Sequence, residues 1–220
     1  MPAGGYSRIV NALFEKCKPE LKLGQKVRKI DYSGVGVNVV TNMETFTCRC
    51  LISSLPLGVL KSKQVEFVPD LPLPYRMTIG NMGFGVANKI YAHFYKPFWG
   101  KKTGWLNFYS LSKTSRYSNA LVVPESNQPI LMFFVAGNES RVLSEWKEEE
   151  VQADLERFLS KCAQEEVRIK SIKMTRWHKD EYCQGSYTFG RVGQDQEKNA
   201  NVLRTPIEKK IWMVGEHTHK

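Results

Sequence analysis

Gly83-Phe84-Gly85-Val86-Ala87-Asn88-Lys89-Ile90 starts like the glycine turn of a dinucleotide-binding fold and then departs from it. That turn needs a third glycine, so that a helix N-terminus can approach a pyrophosphate closely, and none follows Gly85. Residues 88–94 instead alternate, with Ile90, Ala92 and Phe94 on one side and Lys89, Tyr91 and His93 on the other. That is the period of a half-buried strand. Gly34-Val35-Gly36 fails in the same way, and it sits between two strand-like runs where the fingerprint requires a strand followed by a helix. Both glycine pairs are therefore turn glycines.

Outward from this stretch, β patterns dominate. Residues 26–32 and 35–41 flank Ser33-Gly34, and residues 46–53 follow, which predicts a small antiparallel meander. Residues 106–111, 120–123, 130–136, 167–177 and 211–214 supply further strand candidates. Residues 6–17 read as a helix, with Ile9, Val10, Leu13 and Phe14 at helical spacing and Ser7 as its cap. Residues 147–162 form a second helix, in which Val151, Leu155, Phe158, Leu159 and Cys162 make one stripe. Glu148, Glu149 and Glu150 lie at its start, where the helix dipole favours negative charge. Pro56, Pro69, Pro72 and Pro74 mark a linker-like passage and a domain boundary. Without a regular βαβ alternation, the class is α+β, a mixed α/β arrangement.

Composition excludes several classes. With 42% apolar and 25% charged residues the chain is neither disordered nor low-complexity. Its longest apolar run, residues 131–137, is far too short to span a bilayer. The first residues carry no basic-then-apolar secretory pattern. Five scattered cysteines make no disulfide framework and favour an intracellular, reducing compartment, cytoplasmic or nuclear. Cys48-Arg49-Cys50 with His217 and His219 fits no common zinc spacing, so no metal is expected. The net charge of +10 is concentrated in residues 1–120, where 17 Lys and Arg face 6 acids. A solvated surface explains this; an acidic partner or chromatin is the functional alternative. The same charge argues mildly against a free polyamine as substrate. No nucleic-acid-binding fold motif accompanies it.

Nucleophile motifs are absent, because none of the four histidines stands beside a serine or cysteine elbow. The informative blocks run in one order along the chain. They are Leu55-Pro56-Leu57-Gly58-Val59-Leu60-Lys61, Phe67-Val68-Pro69-Asp70-Leu71-Pro72, the Gly83–Ile90 stretch, Phe98-Trp99, Trp177, Gly185-Ser186-Tyr187 and Gly215-Glu216-His217-Thr218. Together they resemble the C-terminal half of a flavin-dependent amine oxidase, nearest the polyamine oxidase and lysine-specific histone demethylase branches.

The resemblance implies a two-domain fold. Residues 1–55 and 177–220 would belong to an FAD-binding domain, and residues 56–176 to a substrate-binding domain built on a mixed sheet with helices. It implies oxidation of the C–N bond of a secondary or substituted amine, of polyamine or methyl-lysine type. Hydride passes to the flavin, and an imine and peroxide result. Lys89 matches the catalytic lysine that reaches the flavin through a water. Tyr187 matches an aromatic wall beside the amine, and Trp177 a tryptophan near the isoalloxazine. Glu216 matches an acid at the ribose or ribityl region, with Gly215 allowing close approach. Val27 matches a valine whose backbone meets the adenine. Ser186 stands where monoamine oxidases bond a cysteine to flavin, so FAD here is expected to be noncovalent; Cys183 is out of register.

The family's nucleotide-binding unit with its glycine turn, and the small-residue helix that follows the Gly-Glu motif, have no counterpart in the 220 residues. Weak flavin binding by this polypeptide alone is the corresponding expectation. The competing reading is a truncated, non-catalytic remnant acting through its basic surface. A visible spectrum of the purified chain separates the two.

Overall fold

In a computed structural model that describes residues 5–109, 116–123 and 128–219, the strands form two larger sheets and two short ladders. β1 (Val27–Asp31), β2 (Val37–Thr41) and β3 (Thr45–Cys48) make the expected antiparallel meander. Alternation sets its faces: Val37, Val39 and Thr41 are buried while Asn38 points to solvent. The strand expected over residues 46–53 divides at Arg49-Cys50. β4 (Leu51–Ser53) leaves the meander and runs parallel to β13 (Ile211–Met213), with Leu51 opposite Ile211 and Ser53 opposite Met213.

The passage after Pro56 is not a linker. It folds into α2 (Leu57–Ser62), β5 (Glu66–Val68) and α3 (Leu73–Asn81), and β5 joins β1 in parallel. Pro56 and Pro72 occupy the N-cap positions of α2 and α3, where no intrahelical N–H is required. Proline density there records helix starts rather than breaks in structure. Leu57, Val59, Leu60, Val65 and Leu71 are buried with Ile30, Val37, Leu203, Ile211 and Met213 in one core.

A second core lies under the larger sheet. β7 (Ala87–Phe94), β8 (Trp105–Asn107), β9 (Asn119–Val122), β10 (Ile130–Ala136) and β11 (Ile169–Met174) are ordered β11-β7-β10-β9-β8, all antiparallel. α4 (Gly137–Glu145) and α5 (Glu148–Ala163) follow β10. From α5, Val151, Leu155 and Leu159 are fully buried against the sheet, whereas Cys162 at the end of the expected stripe is exposed. Truncating Leu155 to alanine in such a site costs about 2–5 kcal/mol. Residues 110 and 111 of the strand expected at 106–111 lie outside the described residues.

β6 (Gly83–Phe84) and β12 (Thr188–Phe189) form a two-residue ladder, and α6 (Gln196–Arg204) is capped by Asp195, whose side chain accepts from Lys198 N at 3.0 Å. α1 (Ser7–Cys17) is helical as expected, but Tyr6 rather than Ser7 is its N-cap. Its apolar residues Ile9, Val10, Leu13 and Phe14 are exposed. Among the described residues no helix is long and apolar enough to cross a membrane.

Candidate active site

Asn88 builds the site from beneath. It is buried, and its side chain spends its full hydrogen-bonding capacity. Nδ2 donates to Ser140 Oγ at 2.8 Å and Ser144 Oγ at 3.1 Å, both on α4. Oδ1 accepts from Trp177 N at 3.0 Å and Thr175 Oγ1 at 3.2 Å. Thr175 in turn accepts from Lys89 N at 2.9 Å through its hydroxyl and donates its own N–H to Lys89 O at 3.0 Å. One buried amide therefore fixes the backbone on both sides of the lysine and the tryptophan.

Because Ile90, Ala92 and Phe94 of β7 turn into the core, Lys89 must turn away from it. That face, on which Lys89 is exposed, is recessed rather than flat. It is one wall of a cavity of about 460 Å³ whose lining includes Lys89, Phe134, Trp177, Ser186, Tyr187, Gly215, Glu216 and His217. Phe134 stands opposite Lys89 in the β7–β10 ladder. Trp177 and Tyr187 remain 43% and 41% exposed, since their rings face this space rather than either core.

The loop bearing Tyr187 is held by close backbone packing. Ser186 N donates to Gly85 O at 2.9 Å, and Gly85 N to Tyr187 O at 2.8 Å. Ser186 Oγ accepts from Ala87 N at 2.8 Å and donates to Ala87 O at 2.7 Å, so the hydroxyl is spent on the start of β7. A Cβ on Gly185 would lie 2.2 Å from Phe84 Cε1, and one on Gly58 would lie 2.3 Å from Cys183 O. These two glycines let the loop, α2 and Phe84 meet.

On the opposite wall, Gly215 has φ +122°, in the region that favours glycine. Glu216 accepts from Thr188 N at 3.0 and 3.2 Å and from Thr188 Oγ1 at 2.6 Å. His217 is 3% exposed, and among the described residues its buried Nε2 has no hydrogen-bond partner. Burial pushes its pKa down, against a smaller upward pull from Glu216, so the ring is neutral. A buried, unpaired ring nitrogen is costly unless something else in the cavity satisfies it.

Val27 does not join these residues. It lines a neighbouring groove of about 370 Å³ with Lys26, Ile30, Ser54, Pro56, Glu181 and Tyr182. Ser54 and Pro56 line both spaces, and so does the loop that runs from Trp177 to Tyr187. The two spaces adjoin at the end of β4, where Ser54 and Pro56 face both.

A family model described as flavin containing amine oxidoreductase matches residues 1–220. The chain belongs to this family. It is 28% identical over 235 residues to lysine-specific histone demethylase 1 homolog 1 of Oryza sativa subsp. japonica, covering 99% of this chain and 26% of that protein. It is 28% identical over 218 residues to polyamine oxidase 2 of Arabidopsis thaliana, covering 97% of this chain and 43% of that protein. The chain thus spans under half the length of these curated relatives. Wild-type putrescine oxidase bound to putrescine superposes with a TM-score of 0.78 at 18% identity, over 98% of this chain and 48% of that one, which shows a shared fold.

For a flavin-containing amine oxidoreductase the Lys89 cavity is chemically apt. A cavity of this size falls within the roughly 300–1,000 Å³ typical of small-molecule sites. Glycine at 215 permits close backbone approach of a ligand. Several lining residues escaped sequence reasoning. Phe134 lay in a recognised strand, but only the β7–β10 register places it beside Lys89. Ser54 had no local signal, and Phe84 and His217 were visible only as parts of motifs.

Proposed function

We propose that these adjoining spaces form an amine-oxidising site that holds FAD noncovalently and acts on the C–N bond of a secondary or substituted amine. The observation carrying this reading is the meeting of Lys89, Trp177, Tyr187, Glu216 and His217 around one cavity, in a chain that matches the family from end to end. We read the core containing Ile30, Leu57 and Ile211 as the cofactor side, which moves residues 57–82 out of the substrate-binding domain expected to begin at residue 56, and the core under the five-stranded sheet as the substrate side.

Bound FAD would supply the two-electron acceptor. The chain's own residues bind, orient and exclude water. Val27 and its groove would take the adenine end, and Gly215 with Glu216 the ribityl region, where the carboxylate keeps acceptor capacity beyond its bonds to Thr188. Trp177 and Tyr187 present aromatic faces that suit an amine in its cationic or neutral form. Phe134 and Phe84 displace water beside Lys89, whose amine is placed to handle a proton near the reacting nitrogen. FAD, when bound, would accept the hydride that leaves, together with a proton, as the amine becomes an imine, and would pass the two electrons to oxygen as peroxide; water would hydrolyse the imine to a carbonyl compound and a free amine.

Polyamines and methyl-lysine peptides both meet this description. The test is a visible titration of the protein with FAD, followed by a peroxide assay against both substrate types. An FAD-dependent peroxide signal with either type is expected, and the flavin should be released into the supernatant on denaturation. No change in the flavin spectrum and no peroxide from any amine would overturn the reading.

A further inference from the structure

The loop from Trp177 to Tyr187 is a compact unit with two inner anchors. Trp177 N is held by Asn88 Oδ1, and Ser186 by the backbone of Ala87. Trp177 O accepts from both Asp180 N at 3.3 Å and Gly185 N at 3.2 Å, closing the loop on itself. Its outer end, at residues 179–182, is fastened by two ion pairs. Lys179 Nζ meets Glu145 at 2.9 Å, and Lys26 Nζ donates to Glu181 Oε2 across 155 residues of sequence. Lys26 Nζ also lies 5.4 Å from the centre of the Tyr182 ring.

Of the two fastenings, the second is better built. The Lys26 side chain is 21% exposed against 42% for Lys179, so solvent screens it less. Its backbone is fixed as well: Lys26 N donates to Asn42 Oδ1 at 2.6 Å, and Lys26 O accepts from Asn42 N at 3.0 Å. The ammonium is therefore presented from a rigid strand end. Lys26, Glu181 and Tyr182 all line the Val27 groove, while Trp177, Cys183, Gly185 and Tyr187 of the same loop line the Lys89 cavity. One loop thus borders both spaces.

We propose that Lys26 and Glu181 are positioning residues: their pair, with Tyr182 stacked on the ammonium, clasps the outer end of the loop over the Val27 groove and so sets where Trp177 and Tyr187 stand in the adjoining cavity. Neither residue touches the reacting atoms. A ligand spanning both spaces lies beneath the clasp, and its retention at the groove is linked to order in the aromatic wall; this consequence rests on the flavin reading above.

Lys26→Ala, Glu181→Gln, Lys26→Arg and the exchanged pair Lys26→Glu with Glu181→Lys test it. The primary readout is the rate of trypsin cleavage after Lys179 in the protein without flavin, with the thermal midpoint checked for each variant. Lys26→Ala and Glu181→Gln should each speed cleavage about three- to tenfold at low salt, a range set by an ion pair plus a cation–π contact. The effect should shrink at high salt, and Lys26→Arg and the exchanged pair should restore most of the protection. Unchanged cleavage in the single variants, or no recovery in the exchanged pair at an unchanged thermal midpoint, would overturn the clasp. FAD titration of the same set separates the two readings. Tight FAD binding that ignores all four variants removes the clasp and spares the flavin site. Absent FAD binding with cleavage that follows the charge pair removes the flavin site and supports the clasp.

Discussion

The side-chain oxygen of buried Asn88 accepts the backbone N–H of Trp177 at 3.0 Å, joining β7 to the loop that forms the aromatic wall. The neighbouring residue on β7 is Lys89, so the same asparagine sets the spacing between the lysine and the tryptophan. Asn88→Ala leaves the Trp177 N–H, the Thr175 hydroxyl and two serine hydroxyls short of a partner. Each unsatisfied buried group costs about 1–3 kcal/mol, and partial rehydration offsets some of it. The expected loss is about 2–4 kcal/mol in urea unfolding, and a loss below the low end would show that water replaces the amide.

Lys89 is expected to matter for chemistry rather than folding. In FAD-loaded protein, Lys89→Met should slow anaerobic flavin reduction by about a hundredfold or more, the scale of general acid–base assistance. Flavin should stay bound, because Lys89 lies on β7 away from the Val27 groove. Reduction at the original rate would remove Lys89 from the mechanism.

Gly185 is a packing requirement. A methyl group there would sit 2.2 Å from Phe84 Cε1 and 2.4 Å from Cδ1, and Phe84 is itself wedged against Gly58. Gly185→Ala should destabilise the protein by about 1–3 kcal/mol, the usual cost of overpacking. A paired Phe84→Leu change should recover part of this. Thermal melts of the single and double variants check both statements.

His217 gives a pH signature. Burial holds its pKa below the ordinary 6.5, with Glu216 opposing weakly. Well above pH 6.5 the ring is neutral in both folded and unfolded chains and contributes nothing to the pH dependence. As pH falls below that value the unfolded chain takes up a proton that the folded chain refuses, so stability declines toward the lower folded pKa. His217→Gln should flatten the fall in the urea midpoint as pH drops below about 6.5. Part of the slope should persist, because burial, then Arg141 and Lys179, also push the His178 pKa down. An unaltered slope in the variant would show that His217 is not the responsible group.

Much of the local structure was legible in short patterns. Alternation at residues 88–94 marked β7 and the residues it buries, and the apolar spacing of residues 147–162 marked α5 with Val151, Leu155 and Leu159 inward. Failures came where one pattern had two physical meanings. Prolines that break a chain also begin helices, so α2 and α3 were hidden. The run at residues 46–53 looked like one strand, yet β3 and β4 serve different sheets because β4 finds its partner in β13, far along the chain.

The amino-acid sequence by itself determined the family blocks, the strand and helix periods, and the side of β7 on which Lys89 stands. Its periodicity could not show what that side faces, and only the family resemblance implied a site there. Alternation separates an inner from an outer surface but is blind to what later folds against the outer one. Only the tertiary structure turned the outer face of β7 into a cavity wall, by bringing Tyr187, Phe134 and His217 to Lys89 from three distant segments and leaving Val27 in the adjoining groove. Those neighbours are selected by long-range packing and by one buried amide whose bonds span the site, and such interactions leave no period in the chain.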